Sequence, residues 1–167
     1  IGIDIMGGDY APQKTIHGAI LAFNELQSDT KIVLFGRKNE ILSALKHHKS
    51  LQNNFEIIDC KDVISMEEHP TKAFRSKPNS SIAKGFEYLS KGLIDGFASA
   101  GNTGAMFVGG YYSVKAIPGV LRPAISSLIP RENGGVTVFL DVGANADCKP
   151  DVLYQFGILG SLFSEHV

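Results

Sequence analysis

Ile1-Gly2-Ile3-Asp4-Ile5-Met6-Gly7-Gly8-Asp9 opens the chain and decides its fold. Ile1–Ile5 is a short, apolar, β-branched run, the composition of a buried strand, and Gly7-Gly8 ends it in a turn. Ile16, Ala19, Ile20, Phe23 and Leu26 follow at the spacing of one helical face. A strand, a glycine turn and an amphipathic helix form the repeating half of an open α/β sheet.

The pattern continues outward. Lys31–Gly36 (KIVLFG) reads as a second strand, and Ile41, Leu42 and Leu45 mark a helix whose outer side carries Lys46, His47, His48 and Lys49. Phe55–Asp59 is a third strand. Residues 65–79 are polar, contain Pro70 and Pro78, and read as a functional loop or a short, partly helical excursion. Ile82, Phe86, Leu89 and Leu93 give another stripe, with Asn79 or Ser80 as its N-cap. Gly96–Ala100 is a strand and Thr103–Ile117 a small-residue-rich apolar helix. Ala124–Ile129 and Val136–Val142 are two more strands. Pro150 suits the first turn of a last helix whose buried face is Leu153, Phe156, Leu159 and Phe163. This alternation implies a mostly parallel sheet covered by helices on both sides, an α/β/α arrangement.

With 167 residues the chain is long enough for one well-buried core, and length alone argues for one domain. The net charge of −1, without a run of Lys or Arg, disfavours nucleic acid as the main partner. An acidic carrier meeting a local basic patch stays open. Cys60 and Cys148 form no CxxC pair and read as core filler in a reducing compartment. No apolar run approaches the roughly 20 residues that span a bilayer. The missing initial Met and the stop just after a helix read as a trimmed start and a cut end.

Three glycine-rich turns follow strands: Asp4–Asp9, Ser99–Gly104 and Asp141–Asn145. In an open α/β sheet, ligands bind beyond the carboxyl ends of the strands, where such turns gather. Glycine admits close backbone approach, and exposed N–H groups at a helix start suit an anion. Phosphate is therefore assigned to Gly7, Gly8 and the Gly101–Gly104 turn, with Asn102 and Thr103 as side-chain donors. Arg75 and Lys77 supply positive charge, Ser80 and Ser81 donate at the start of the following helix, and Asn145 orients the substrate or a reacting carbonyl.

Plainer readings stand beside these. Gly7, Gly8, Gly104 and Gly143 serve tight turns as well as ligands. Asp4 and Asp141 read better as caps or loop anchors than as reacting groups. Arg75 and Lys77 also fit a solvated loop face, and Arg122 fits a structural ion pair as well as a substrate contact. Ser99 lacks a surrounding GxSxG and is not read as a nucleophile. His17 reads as a partly buried helix residue, His47 and His48 as a solvated face, and His69 as the histidine nearest the site. No HxxxH or HExxH spacing occurs, so neither a metal nor a cofactor is expected.

DxMGGDxAP (Asp4–Pro12), RxKxxSS (Arg75–Ser81), SAGNTGA (Ser99–Ala105), RPA (Arg122–Ala124) and LDVGAN (Leu140–Asn145) occur in this order. Together they resemble the N-terminal half of the PlsX family of bacterial phosphate acyltransferases, the fatty acid/phospholipid synthesis proteins. The resemblance implies transfer of a long fatty acyl chain from acyl carrier protein to inorganic phosphate, giving acyl phosphate. It also implies a fold similar to isocitrate and isopropylmalate dehydrogenases, a homodimer, and peripheral association with the cytoplasmic membrane. Residues 1–167 would be the N-terminal part of a single acyltransferase domain whose second half is missing. Tyr10 stands where family members often carry His, which puts any role of that position in doubt. A phosphate acetyltransferase using acyl-CoA, or a non-catalytic module binding phosphate or a carrier, are the rival readings.

Phosphate near neutral pH is already an anionic nucleophile, and a thiol of pKa about 8.5 leaves as thiolate more readily than an alcohol leaves as alkoxide. Such a site must mainly gather an anion, align it with the carbonyl and stabilise the oxyanion. The residues assigned above are suited to that work.

Overall fold

A computed structural model of the protein describes residues 1–26, 29–48 and 51–167, apart from the side chains of His47 and Gln52. The expectation for Lys49 and for the His47 side chain lies outside the described residues. The described residues form two compact units, Ile1–Val114 and Lys115–Val167.

The first unit holds a four-stranded parallel sheet of β1 (Gly2–Asp4), β2 (Val33–Gly36), β3 (Glu56–Asp59) and β4 (Phe97–Ala98). Its helices are α1 (Gln13–Glu25), α2 (Lys38–Leu45), α3 (Pro70–Ser76), α4 (Ser81–Ser90) and α5 (Thr103–Ser113). Short 3-10 turns occupy Lys46–His48 and Gln52–Asn54. Side chains alternate across the sheet, as the strand period requires. Leu34 and Ile5 pack with Ile16, Ile20, Ile41 and Leu45 from α1 and α2. Val33 and Phe35 point the other way, to Cys60, Ile94, Tyr88 and Leu89, the last two from α4. The sheet thus lies between helical layers, an α/β/α arrangement.

Aspartates close strands β1 and β3. Asp59 Oδ1 accepts the N–H of Lys38 at 3.0 Å, capping the first turn of α2 from the neighbouring strand. Ser80, one of the two expected caps of α4, holds that post and accepts the Ala83 N–H at 3.3 Å. The polar excursion before it is partly helical, with Pro70 opening α3. Small residues in α5 and α4 make room for rings. A Cβ on Gly109 would fall 2.2 Å from Phe86, and one on Gly85 would fall 2.1 Å from Phe97.

The second unit holds an antiparallel pair, β5 (Ser126–Pro130) and β6 (Val136–Leu140), followed by α6 (Pro150–Ser164). Two expected strands therefore pair as a hairpin of their own rather than extending the parallel sheet. Asn133-Gly134 is a hairpin signal, and Gly134 and Gly135 both adopt φ of +79°, where glycine is at home. Several helix assignments also need correction. Leu153 and Phe163 of α6 are exposed, and Val152 with Phe156 forms its buried edge. Leu93 lies beyond α4 in a turn and is exposed, while Ile94 takes the buried place. The last helix of the first unit stops at Ser113, four residues short of Ile117. His17 is exposed on α1 rather than partly buried.

Candidate functional site

The strand order β3-β2-β1-β4 reverses direction at β1. The chain builds outward from β1 through β2 to β3, then returns to place β4 on the other side of β1. The crevice beyond such a switch is where open α/β sheets bind ligands. Here its walls are the turns after β1 and β4, namely Gly7-Gly8 and Ser99–Gly101.

These turns touch. A Cβ on Gly7 would stand 2.6 Å from the Gly101 N and 2.7 Å from Asp4 Oδ2, so the position admits glycine alone. Gly8 has φ of +99°, a left-handed conformation that L side chains rarely take. Asp4, 2% exposed, joins the two turns from below. Its Oδ1 accepts the Met6 N–H at 2.9 Å, and its Oδ2 accepts the Ser99 hydroxyl at 2.7 Å. Ser99 Oγ in turn accepts the Gly101 N–H at 2.9 Å. The expectation that Asp4 anchors loops is met in full. The partner Ser99 was invisible to spacing, because 95 residues separate the two.

A cleft of about 220 Å³ opens over these turns, lined by Met6, Gly7, Gly8, Gly101 and the 63–67 segment. Asn102 governs the path of that segment. Its Nδ2 donates to the Ser65 carbonyl at 2.9 Å and the Glu68 carbonyl at 3.1 Å, and its Oδ1 caps α5 by accepting the Ala105 N–H at 2.9 Å. Lys77 works on the same segment from behind, 2.7 Å from the Val63 carbonyl and 2.6 Å from Glu68 Oε2. The hydrogen bond from Lys77, with help from the Ser65 N–H, holds the Glu68 carboxyl down at about 2. Among the residues lining the cleft the one charged side chain is Glu67.

The other residues singled out in the sequence lie as follows. Gly101 lines the cleft; Thr103 and Gly104 open α5 just after it, and Gly104 also lets Pro70 approach, since a Cβ there would meet its ring at 2.3 Å. Arg75 is exposed on α3, its guanidinium 5.3 Å from the Tyr112 ring centre and 3.2 Å from that hydroxyl. Ser80 and Ser81 are buried at the start of α4, and neither lines the cleft. His69 precedes α3 and is exposed. Cys60 is buried, and desolvation, then the nearby Asp4 charge, push its thiol up to about 12. Among the described residues no group of three His, Cys, Asp or Glu could hold a metal.

Asn145 belongs to the second unit. Its N–H donates to Asp141 Oδ2 at 2.6 Å, and its Nδ2 donates to the Pro123 carbonyl at 3.0 Å. Asp141 Oδ1 accepts the Ile125 N–H at 2.9 Å, so this aspartate also anchors loops. Arg122 donates to the Asp147 carbonyl at 3.1 Å rather than to a carboxylate. A larger groove of about 500 Å³ lies between α1 and α2, lined by Pro12, Ile16, His17, Glu40 and His48, and shares no residue with the switch-point cleft.

A parallel sheet whose strand order reverses between two interlocked glycine turns defines a doubly wound α/β protein with a cleft at the switch. More particularly, the chain belongs to the fatty acid synthesis protein family, whose model matches residues 1–167. It is 42% identical over its whole length to a phosphate acyltransferase of Dictyoglomus thermophilum, 40% identical to one of Halothermothrix orenii and 38% identical to one of Clostridium tetani. In each case the match covers 49% of the relative, so the chain spans about half the length of these proteins. Among the described residues no helix is long and apolar enough to cross a membrane.

Proposed function

We propose that the intact protein is a phosphate acyltransferase that moves a long-chain fatty acyl group from acyl carrier protein to inorganic phosphate, releasing acyl phosphate for phospholipid synthesis. The observation that carries this reading is the contact of Gly7 with Gly101 at the β1–β4 switch, in a chain whose relatives are named for that phosphate chemistry. Phosphate sits over the two turns. Backbone N–H groups of Gly7, Gly8 and the opening turn of α5 approach its oxygens, and the helix dipole adds partial positive charge. Asn102 and Lys77 act by holding the facing 63–68 segment, and Arg75 attracts anions from the exposed face of α3. Since the one charged residue lining the cleft is the acidic Glu67, neutralisation of phosphate falls to N–H dipoles and to groups that approach from elsewhere in the intact protein.

The reaction asks little of acid–base chemistry. A phosphate oxygen attacks the thioester carbonyl, the tetrahedral oxyanion collapses, and the carrier's thiolate leaves. Alignment of the two reactants supplies most of the acceleration. The same reading makes the protein a homodimer peripherally bound to the cytoplasmic membrane, which sedimentation and liposome flotation test.

The deciding experiment offers the intact protein labelled inorganic phosphate with either palmitoyl carrier protein or acetyl-CoA, and traps acyl phosphate with hydroxylamine. Product from the long-chain carrier supports the proposal. Product from acetyl-CoA alone transfers the protein to short-chain chemistry. Phosphate binding without product makes it a binding module.

A further inference from the structure

A buried carboxylate is costly unless its lone pairs are filled, and several kcal/mol is a usual penalty for one without a counter-ion. Asp4 is buried at 2% exposure, and no Lys, Arg or His pairs with it among the described residues. It stands at the end of a strand whose other side chains are apolar or glycine, where a further apolar residue would suit the sheet better. What the aspartate provides instead is a continuous polar chain. The Gly101 N–H donates to Ser99 Oγ, the Ser99 hydroxyl donates to Asp4 Oδ2, and Asp4 Oδ1 accepts the Met6 N–H. The direction of each bond is fixed, since the backbone N–H groups only donate, which leaves the Ser99 hydroxyl proton for Asp4 Oδ2. Both glycines rest on this chain: a Cβ on Gly7 would lie 2.8 Å from Ser99 Oγ, and one on Gly101 would lie 3.3 Å from Asp4 Oδ2.

The chain consumes the N–H groups of Met6 and Gly101. Those of Gly7, Gly8 and Asn102, next to them in sequence, have no acceptor among the described residues. We infer that Asp4 and Ser99 are positioning residues, a latch that sets the two turns in one fixed register so that these remaining N–H groups serve an anion together. The inference rests on reading the cleft as a phosphate site. It assigns affinity for phosphate to two residues that never touch it, and predicts that weakening them raises the phosphate requirement without altering the acyl donor's.

The test uses Ser99→Ala, Asp4→Asn and the double variant in the intact protein. Asp4→Asn keeps the shape and offers a second route should one variant fold poorly. Loss of one latch bond should speed hydrogen exchange at the Gly101 amide about tenfold, while the Leu34 amide in the sheet stays unchanged. The KM for phosphate should rise roughly tenfold, with kcat and the KM for acyl carrier protein within about twofold. The double variant should be no worse than the worse single one, because both break one chain. Unchanged Gly101 exchange, a fall in kcat alone, or parallel rises in both KM values would overturn the latch, since a merely structural role lowers the folded fraction without selecting phosphate. Should wild-type protein form no acyl phosphate, the proposed activity fails separately, and titration with inorganic phosphate then judges the latch. About tenfold weaker binding in Ser99→Ala upholds it, whereas equal affinity, or no binding by wild type, removes it.

Discussion

Lys77 Nζ lies 2.6 Å from Glu68 Oε2 and 2.7 Å from the Val63 carbonyl, so the cation that the motif offers to a ligand is already engaged within the protein. The ammonium braces the segment that faces the glycine turns. In the proposed phosphate reading, its part is therefore indirect, through the position of residues 63–68.

Acid should loosen this bracing. Glu68 and Glu87 are both held from 4.5 down to about 2, the first by Lys77, the second by Lys84 and then Lys91. A carboxyl whose folded pKa is depressed contributes stability that is full above the unfolded value and fades as pH falls toward the folded one. Thermal unfolding midpoints should therefore decline between about pH 4.5 and pH 2, and Glu68→Gln and Glu87→Gln should each flatten that decline. All three ion pairs are partly exposed, so added salt should shrink the difference. A slope equal to wild type in both variants would contradict the assignment.

Asn102 fills two posts, and substitutions should separate them. Asn102→Ala loses the cap of α5 and the amide that gathers the 65–68 carbonyls, a cost of about 2–3 kcal/mol. Asn102→Asp keeps a capping oxygen but sets a carboxylate against those carbonyls. Chemical denaturation should show both destabilised, and exchange at the α5 amides should rise in the alanine variant only.

Gly109 is a packing residue. A methyl group there meets the Phe86 ring at 2.2 Å, and overpacking of this kind costs about 1–3 kcal/mol. Gly109→Ala should lower the unfolding midpoint, and pairing it with Phe86→Leu should restore part of the loss. Equal loss in the single and double variants would show that the ring is not the obstacle.

Asp141 binds two stretches of the second unit through Ile125 N–H and Asn145 N–H. Asp141→Ala should release both, costing about 2–3 kcal/mol, with faster amide exchange at Ile125 and Asn145 as the direct readout. Asp141→Asn should retain one of the two contacts and fall between.

The cysteines should differ in reactivity. Cys60 is buried with its thiol raised to about 12, whereas Cys148 is half-buried. A thiol reagent near pH 8 should label Cys148 first and reach Cys60 only on unfolding. Simultaneous labelling in the native protein would refute this placement.

The elements that bury one face were legible in the sequence. Ile16, Ile20, Ile41 and Leu45 sit where a 3.6-residue period puts them, because burial against a sheet is what that period records. The period misled at Leu93, Leu153 and Phe163, where apolar residues repeat but the side chains are exposed. The hairpin of β5 and β6 announced itself only in Asn133-Gly134, a turn signal outweighed by the βαβ pattern upstream. Of the site, the two turns were visible as glycine after strand. The links from Asp4 to Ser99 and from Asn102 to Ser65 and Glu68 were not, since hydrogen bonds across 34 to 95 residues leave no local spacing. The aspartates were read correctly as anchors because a carboxylate closing an apolar strand has few other ways to be satisfied.

The hold of Asn102 on residues 65–68 acts entirely through main-chain oxygens. Met66 and Glu67 are thereby relieved of any duty in shaping their own segment, and both side chains are exposed at the mouth of the cleft. Exchange of either side chain would leave those hydrogen bonds in place, so the chemistry at the mouth can change by point mutation while the scaffold beneath keeps its shape.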